Sequence, residues 1–191
     1  MSDFHAPGTP CYDTAMKTLM LLLAVLLTTG ITTAAALKGQ SSNSSRIAVG
    51  ARYHQGHTTI KRWPFEDGNM SYGLSYALFD GLGYLEAGLD YAPEGIEGST
   101  VEDVWIPRLN MAINDGIFVA GIGIANGFVR RTVGGSQWTG LLYQFHLGLE
   151  IPLGNSLEIG GGAYYSFDDW GEIGDFEVDD LEYGVRIGYR F

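Results

Sequence analysis

Cysteine is nearly missing from this chain of 191 residues, with Cys11 the only one. It precedes the first apolar run, so no disulfide can form and no thiolate is available downstream for metal binding or nucleophilic attack. A lipoprotein anchor would need its cysteine after that run, which makes Cys11 a poor one. Long hydrophobic stretches are equally missing beyond residue 36, where none reaches the ~18 residues a spanning helix needs. If the chain crosses a membrane it must do so as a closed barrel, the other structure that satisfies its own backbone in lipid. Basic residues are scarce, 11 Lys+Arg against 22 Asp+Glu for a net charge of −11. So acidic a chain is a poor partner for nucleic acid. No internal repeat suggests a solenoid or propeller.

Glycine and tyrosine are abundant instead, at 28 and 11 residues. With a mean hydropathy of +0.04, this suits strands in which each large apolar residue is offset by a small or polar neighbour. The front of the chain is different. Met16-Lys17 leads into an apolar run over 18–29 and then into Thr32, Thr33, Ala34, Ala35 and Ala36, the layout of a secretory signal peptide. Cleavage is expected within 34–36. Residues 1–36 are therefore read as an N-terminal extension plus signal peptide with Met16 the expected true start, 37–45 as a periplasmic lead-in, and 46–191 as the barrel. Only Lys17, Asp3 and Asp13 among the charged residues fall in the leader, which leaves the mature chain a net charge of −10.

From residue 46 onward a period of two recurs eight times. Its clearest instance is 181–191, where Leu181, Tyr183, Val185, Ile187, Tyr189 and Phe191 share one face and Glu182, Gly184, Arg186, Gly188 and Arg190 the other. The remaining strands are expected over 46–55, 70–79, 83–91, 101–114, 117–128, 140–151 and 157–167. Pro107 interrupts the fourth and cannot donate a ladder hydrogen bond, so a bulge or break is expected there. Asp80-Gly81, Asp115-Gly116 and 152–156 read as tight turns. Longer loops are expected over 56–69, 92–99, 130–138 and 168–180. Short turns at one end and long loops at the other describe an all-β, eight-stranded antiparallel up-and-down transmembrane β-barrel.

The ending GVRIGYRF resembles the carboxy-terminal signal of bacterial outer-membrane barrels, an amphipathic strand closing on Phe that the family's assembly machinery reads; Tyr189 and Phe191 carry the likeness. Residues 45–191 as a whole resemble the small outer-membrane barrels of the OmpA and OmpX type. That resemblance implies a place in the bacterial outer membrane among its lipid and lipopolysaccharide, contact with the barrel-assembly machinery, and a monomer without cofactor. It also implies a non-enzymatic structural or surface-interaction role.

Alternation puts Arg46, Arg52, Arg108, Arg186 and Arg190 on the inner faces together with Glu86, Asp90, Glu150, Glu158 and Glu182. Eight strands enclose a space that side chains fill, so equal opposing charge reads as a salt-bridged plug. Setting residues 151 and 157 opposite one another brings Glu150 beside Glu158, and two such carboxylates repel unless a base intervenes. Arg46 and Arg190, on the neighbouring strands at the same end, are expected to intervene. Acid–base catalysis is the alternative use of paired carboxylates, but the periplasmic end of a narrow barrel is hard for a substrate to reach.

Other functions leave weaker traces. Lipid A deacylases, a family of outer-membrane barrel enzymes, use a His-x-Ser pair with a nearby Glu on the lipid-facing surface. Here the string is His146-Leu147-Gly148, with Gly in the nucleophile's place, and His146 is expected to point inward and bond Gln144 or Glu150. A lipid-modifying enzyme would be recognised by a Ser and a His meeting on one surface. His54 and His57, near the outer rim of the first strand, have no well-spaced partner for a metal. The acidic fourth loop, with Asp168, Asp169, Asp175 and Asp179, reads as a solvated loop or as a divalent-cation site built from carboxylate oxygens. Tyr53, Tyr72, Tyr91, Trp105, Phe128, Phe167 and Tyr183 fall toward the loop end of the outward faces, and Phe118, Tyr189 and Phe191 toward the other, as interfacial girdles would. A soluble lipocalin-like ligand-binding barrel would invert this sidedness.

Overall fold

The computed structural model describes residues 45–56, 60, 63–80, 83–93, 100–171 and 177–191. The leader, the lead-in up to residue 44, His57, Asp175 and turn residues 81 and 82 lie outside them. The strands are β1 Ser45–His54, β2 Asn69–Asp80, β3 Gly83–Ala92, β4 Val101–Asp115, β5 Phe118–Arg131, β6 Gln137–Pro152, β7 Leu157–Phe167 and β8 Leu181–Arg190. Each pairs antiparallel with its sequence neighbours, and β8 returns to β1 to close the barrel. Closure removes the free edges that would otherwise recruit other strands. At the seam the Phe191 N–H donates to the Ser45 carbonyl at 3.0 Å, and the Ser45 N–H donates to the Phe191 carbonyl at 3.2 Å.

The two faces differ as the alternation requires. Outward side chains such as Ile113, Phe118 and Leu147 are two-thirds exposed, while the inward Arg46, Glu86 and Glu182 are buried. A soluble monomer does not leave an apolar wall of this extent in water, whereas hydrocarbon accepts it. A soluble ligand-binding barrel would carry the opposite sidedness. Most of the girdle aromatics project from the wall, among them Tyr72, Tyr183, Tyr189 and Phe118. Phe128 and Phe167 are instead covered from outside, the first by Trp138 and the second by Tyr143 and Trp170.

Pro107 does not cause the expected bulge. It pairs with Leu89 of β3, and the β4–β5 register is the same at Trp105↔Phe128 and Arg108↔Ala125 on either side of it. The shift lies between Val101 and Asp103. The extra residue there, Glu102, turns Val101 into the lumen, where it is buried. It also leaves Asp103 to hold Arg130 through two bonds of 2.7 and 2.5 Å. Arg130 and Arg131 therefore extend β5 rather than begin a loop, and the third long loop shrinks to 132–136. A second irregularity lies between Asn126 and Phe128, opposite Gly140, whose φ of 105 only glycine adopts without strain. Gly140 reads as a strand start in sequence, yet β6 runs on through it to Gln137. The second hairpin turns at Gly116 and Ile117, one residue later than expected.

Gly148, Gly162 and Gly184 pair in one row across β6, β7 and β8. Inward Cβ positions converge on the axis, so a Cβ on Gly162 would meet the Leu147 carbonyl at 2.5 Å, while one on the outward Gly161 finds its nearest atom at an ordinary 3.4 Å. Gly162→Val should therefore cost about 1–3 kcal/mol of overpacking, seen as a lower thermal transition in detergent. Gly161→Val should stay close to the parent; equal losses in both variants would contradict this packing.

Candidate functional site

At the turn end of the lumen, Arg46 points into a space where no water reaches it. Its Nη2 donates to Glu86 at 2.6 Å and its Nη1 to Glu150 at 2.7 Å and also to Glu158. Arg190 bonds Glu158 and reaches Glu150 at 3.4 Å, and Arg186 bonds Glu150. Both Arg46 and Arg190 thus stand between the two carboxylates. The register differs from the sequence expectation, since Ile151 lies opposite Ile159 and Pro152 opposite Glu158. The hairpin turns one residue later than expected, which makes Glu150 and Glu158 diagonal rather than direct neighbours, and the arginines bridge the diagonal. Below them Phe79 and Tyr84 form an aromatic floor, with the Arg190 guanidinium 4.4 Å from the Phe79 ring and that of Arg46 4.7 Å from Tyr84.

The pairing continues up the barrel. Arg108 donates to Glu86 at 2.7 Å and to Asp90 at 3.1 Å. Arg52 lies 3.8 Å from Asp90 and donates to Glu182 at 3.2 Å, with its guanidinium 4.0 Å over the Tyr164 ring. All ten charges named from the sequence therefore belong to one connected chain from Arg190 to Glu182. Charges this far from water persist only when paired.

His146 points inward but makes neither expected hydrogen bond. Its ring stacks on Tyr164 with centroids 5.6 Å apart, and neither ring nitrogen has a hydrogen-bond partner among the described residues. The cause is Gly121 across the ladder, whose missing side chain opens the slot in which the imidazole lies. Gln144 is turned away to Ser166, to which it donates at 3.0 Å.

The loop end holds what the sequence reading missed. His54, at the loop end of β1, points into the lumen and is fully buried, with Nδ1 2.5 Å from Glu182 Oε1 and Nε2 2.8 Å from Ser71 Oγ, partners the sequence did not reveal. Above it Ile60, Trp63 and Phe65 from the first loop pack with Ala92, Val101, Val104, Ile106, Ala125, Val129 and Leu142 as an apolar cap. Trp63 Nε1 donates to Glu182 at 3.0 Å and Phe65 stacks on His54 at 3.8 Å. A signal existed: inner-face positions on β4 to β6 turn from charged to apolar toward the loops, and an apolar lining needs an apolar cover.

Other named residues stay apart. Asp168, Asp169 and Asp179 are exposed, with Asp169 accepting a hydrogen bond from the Gly171 N–H at 2.8 Å. Among the described residues no group of three or more His, Cys, Asp or Glu could hold a metal ion. Tyr189 projects outward from β8 with Phe191 stacked beside it at 6.2 Å.

No family model and no curated protein matches the sequence. Solved structures are similar. Neisserial surface protein A, 9% identical, superposes over 80% of this chain and 100% of its own with a TM-score of 0.53. The fold is that of the small eight-stranded outer-membrane barrels. The attachment invasion locus protein of Yersinia pestis is 14% identical over 79% of this chain and 100% of its own, at a TM-score of 0.44. The outer membrane enzyme PagL is 14% identical over 77% and 97%, at 0.30.

Removing Arg46 would take away the one cation that Glu86, Glu150 and Glu158 share and leave them to Arg108, Arg186 and Arg190. Arg46→Ala should cost about 3–5 kcal/mol, the loss expected on breaking a buried pair, with a further loss when Arg190→Ala is added. Arg130→Ala, on the outer surface, should cost about 1 kcal/mol or less. Thermal unfolding in detergent followed by circular dichroism checks the order, and equal transitions for the two single variants would count against the network.

Proposed function

We propose that the chain is a monomeric barrel of the bacterial outer membrane with a plugged lumen and a structural or surface-interaction role. The observation that carries this is the sidedness: an apolar wall outside and a connected ion-pair network inside. Hydrocarbon and lipopolysaccharide are the neighbours that suit the wall. Tyr189 and Phe191, at the closing seam, are where the assembly machinery would engage. The lumen is filled from both ends, by the Phe79–Tyr84 floor and the Trp63–Phe65 cap, which favours anchoring and loop presentation over transport. Toward surrounding lipid the barrel is read as non-enzymatic, because His146 lies in the lumen and Gly148 occupies the nucleophile's place in the deacylase pattern.

Fractionation tests the reading. The protein is expected with the outer membrane, to require detergent, and to migrate faster unheated than boiled; a water-soluble monomer would overturn it. In planar bilayers the plugged lumen should give no stable conductance steps. Phe191→Ala should lower the amount assembled in cells while refolding in detergent stays close to normal, and equal loss in both settings would show that Phe191 serves stability rather than recognition.

A further inference from the structure

The ion-pair network ends at Glu182, where it meets groups that charge balance does not require. β8 supplies Glu182, β1 supplies His54 and β2 supplies Ser71, all with no exposed surface. Ser71 faces Arg52 across the ladder and His54 faces Asn69, so the serine and the histidine are diagonal neighbours on the inner wall. A carboxylate only accepts, so the imidazole tautomer that fits carries its proton on Nδ1, 2.5 Å from Glu182, and leaves Nε2, at 2.8 Å, to accept from the hydroxyl. A serine so placed can lose its proton to the imidazole while the carboxylate holds the ring and stabilises the imidazolium. That function is recognised by geometry and not by fold or chain order.

Three further features suit reaction. Glu182 is itself fixed, by Trp63 Nε1 at 3.0 Å on Oε1 and by Arg52 at 3.2 Å on Oε2. Arg52, whose backbone lies across the ladder from Ser71, spends its guanidinium on Glu182 and on the Tyr164 ring, so donors for a carbonyl oxygen gaining negative charge would come from backbone N–H groups beside Ser71. A cavity of about 30 Å³, lined by Arg52, Gly73, Ser75, Asp90, Tyr164 and Gly184, begins one inner-face step from Ser71, enough for about one water. The cover is apolar: Phe65 lies flat on the imidazole, at an interplanar angle of 7°, and Trp63 packs against Phe65 at 5.0 Å.

We propose that Ser71, His54 and Glu182 form a covered acyl-transfer site at the loop end of the lumen, acting on carboxylic esters small enough to enter the mouth when Trp63 and Phe65 lift. This goes beyond the structural role and needs no contact with lipid. Ser71 Oγ gives its proton to His54 Nε2 as it bonds the ester carbonyl carbon, and the alcohol departs with that proton as its C–O bond breaks. Water then gives a proton to His54 and adds to the acyl carbon. The acid leaves as the Ser71 oxygen takes the proton back.

The test treats the full chain, refolded in detergent, with a fluorophosphonate, which loses fluoride on bonding to an activated serine; mass spectrometry locates the adduct. Slow labelling at Ser71 is expected in the parent, and about tenfold faster labelling in Phe65→Ala, which uncovers the imidazole and keeps the Trp63 bond to Glu182. In that uncovered background His54→Asn should lower the rate about 10²-fold or more, the scale of a general base. Hydrolysis of a short-chain p-nitrophenyl ester should follow the same order. An uncovered variant that keeps its heat-modifiable migration yet leaves Ser71 unlabelled overturns the site, as does labelling that persists without His54. If Phe65→Ala does not fold, Phe65→Leu, which keeps an apolar side chain but lays no ring on the imidazole, is judged by the same outcomes. Migration reports on the barrel separately, so loss of the site and loss of the membrane reading are told apart.

Discussion

A guanidinium that cannot reach water must be answered by carboxylates, and Arg46 is answered by three. Its position explains why. Seven junctions of the barrel are held by a connecting segment, but the β1–β8 seam has none, and its register depends on backbone bonds and on what the inner side chains do. There Arg46 lies directly opposite Arg190. Two cations at that spacing would push the seam apart, and Glu158 from β7 bonds both of them while Glu150 from β6 does the same. Farther up, Arg52 and His54 of β1 both bind Glu182 of β8. Charge therefore reinforces the junction that connectivity does not fix.

Glycine is the other half of this arrangement. Long charged side chains can lie across a narrow lumen only where neighbouring positions are empty. A Cβ on Gly88 would meet the Arg108 guanidinium carbon at 2.8 Å, and one on Gly188 would meet Arg46 Cδ at 2.9 Å. The high glycine content and the inner charges therefore describe one packing solution, and neither would be stable without the other.

Fold class and strand number were legible because membrane strands repeat a simple alternation that local sequence carries. Parity also says which side a residue takes, and the ten charges named from it lie in the lumen. It does not say who meets whom. The Glu150–Glu158 register turned on a one-residue displacement of the hairpin, and the extension of β5 turned on Asp103 capturing Arg130 after a bulge that nothing local announces. The first loop was least legible. Trp63 is one residue of the 56–69 loop in sequence, and nothing near it announces that it bonds Glu182, 119 positions away. His146 failed for a related reason, since the slot that holds it is made by Gly121 on another strand.

The two ends of the lumen are closed by different physics, and this bears on what each can do. At the turn end the floor is part of the wall, because Phe79 and Tyr84 belong to β2 and β3 and the ion pairs above them knit five strands. Opening it would dismantle the barrel. At the loop end the cover is a connecting segment, held by apolar contact and by the Trp63 bond to Glu182. Lifting it leaves Arg46 and its partners untouched. Glu182 stands at the boundary, the last acid of the structural network and the orienting acid for His54. The restraint from Arg52 that keeps the upper seam in register therefore also keeps that carboxylate aimed at the imidazole, so a rigid scaffold and a reactive arrangement come from the same contact.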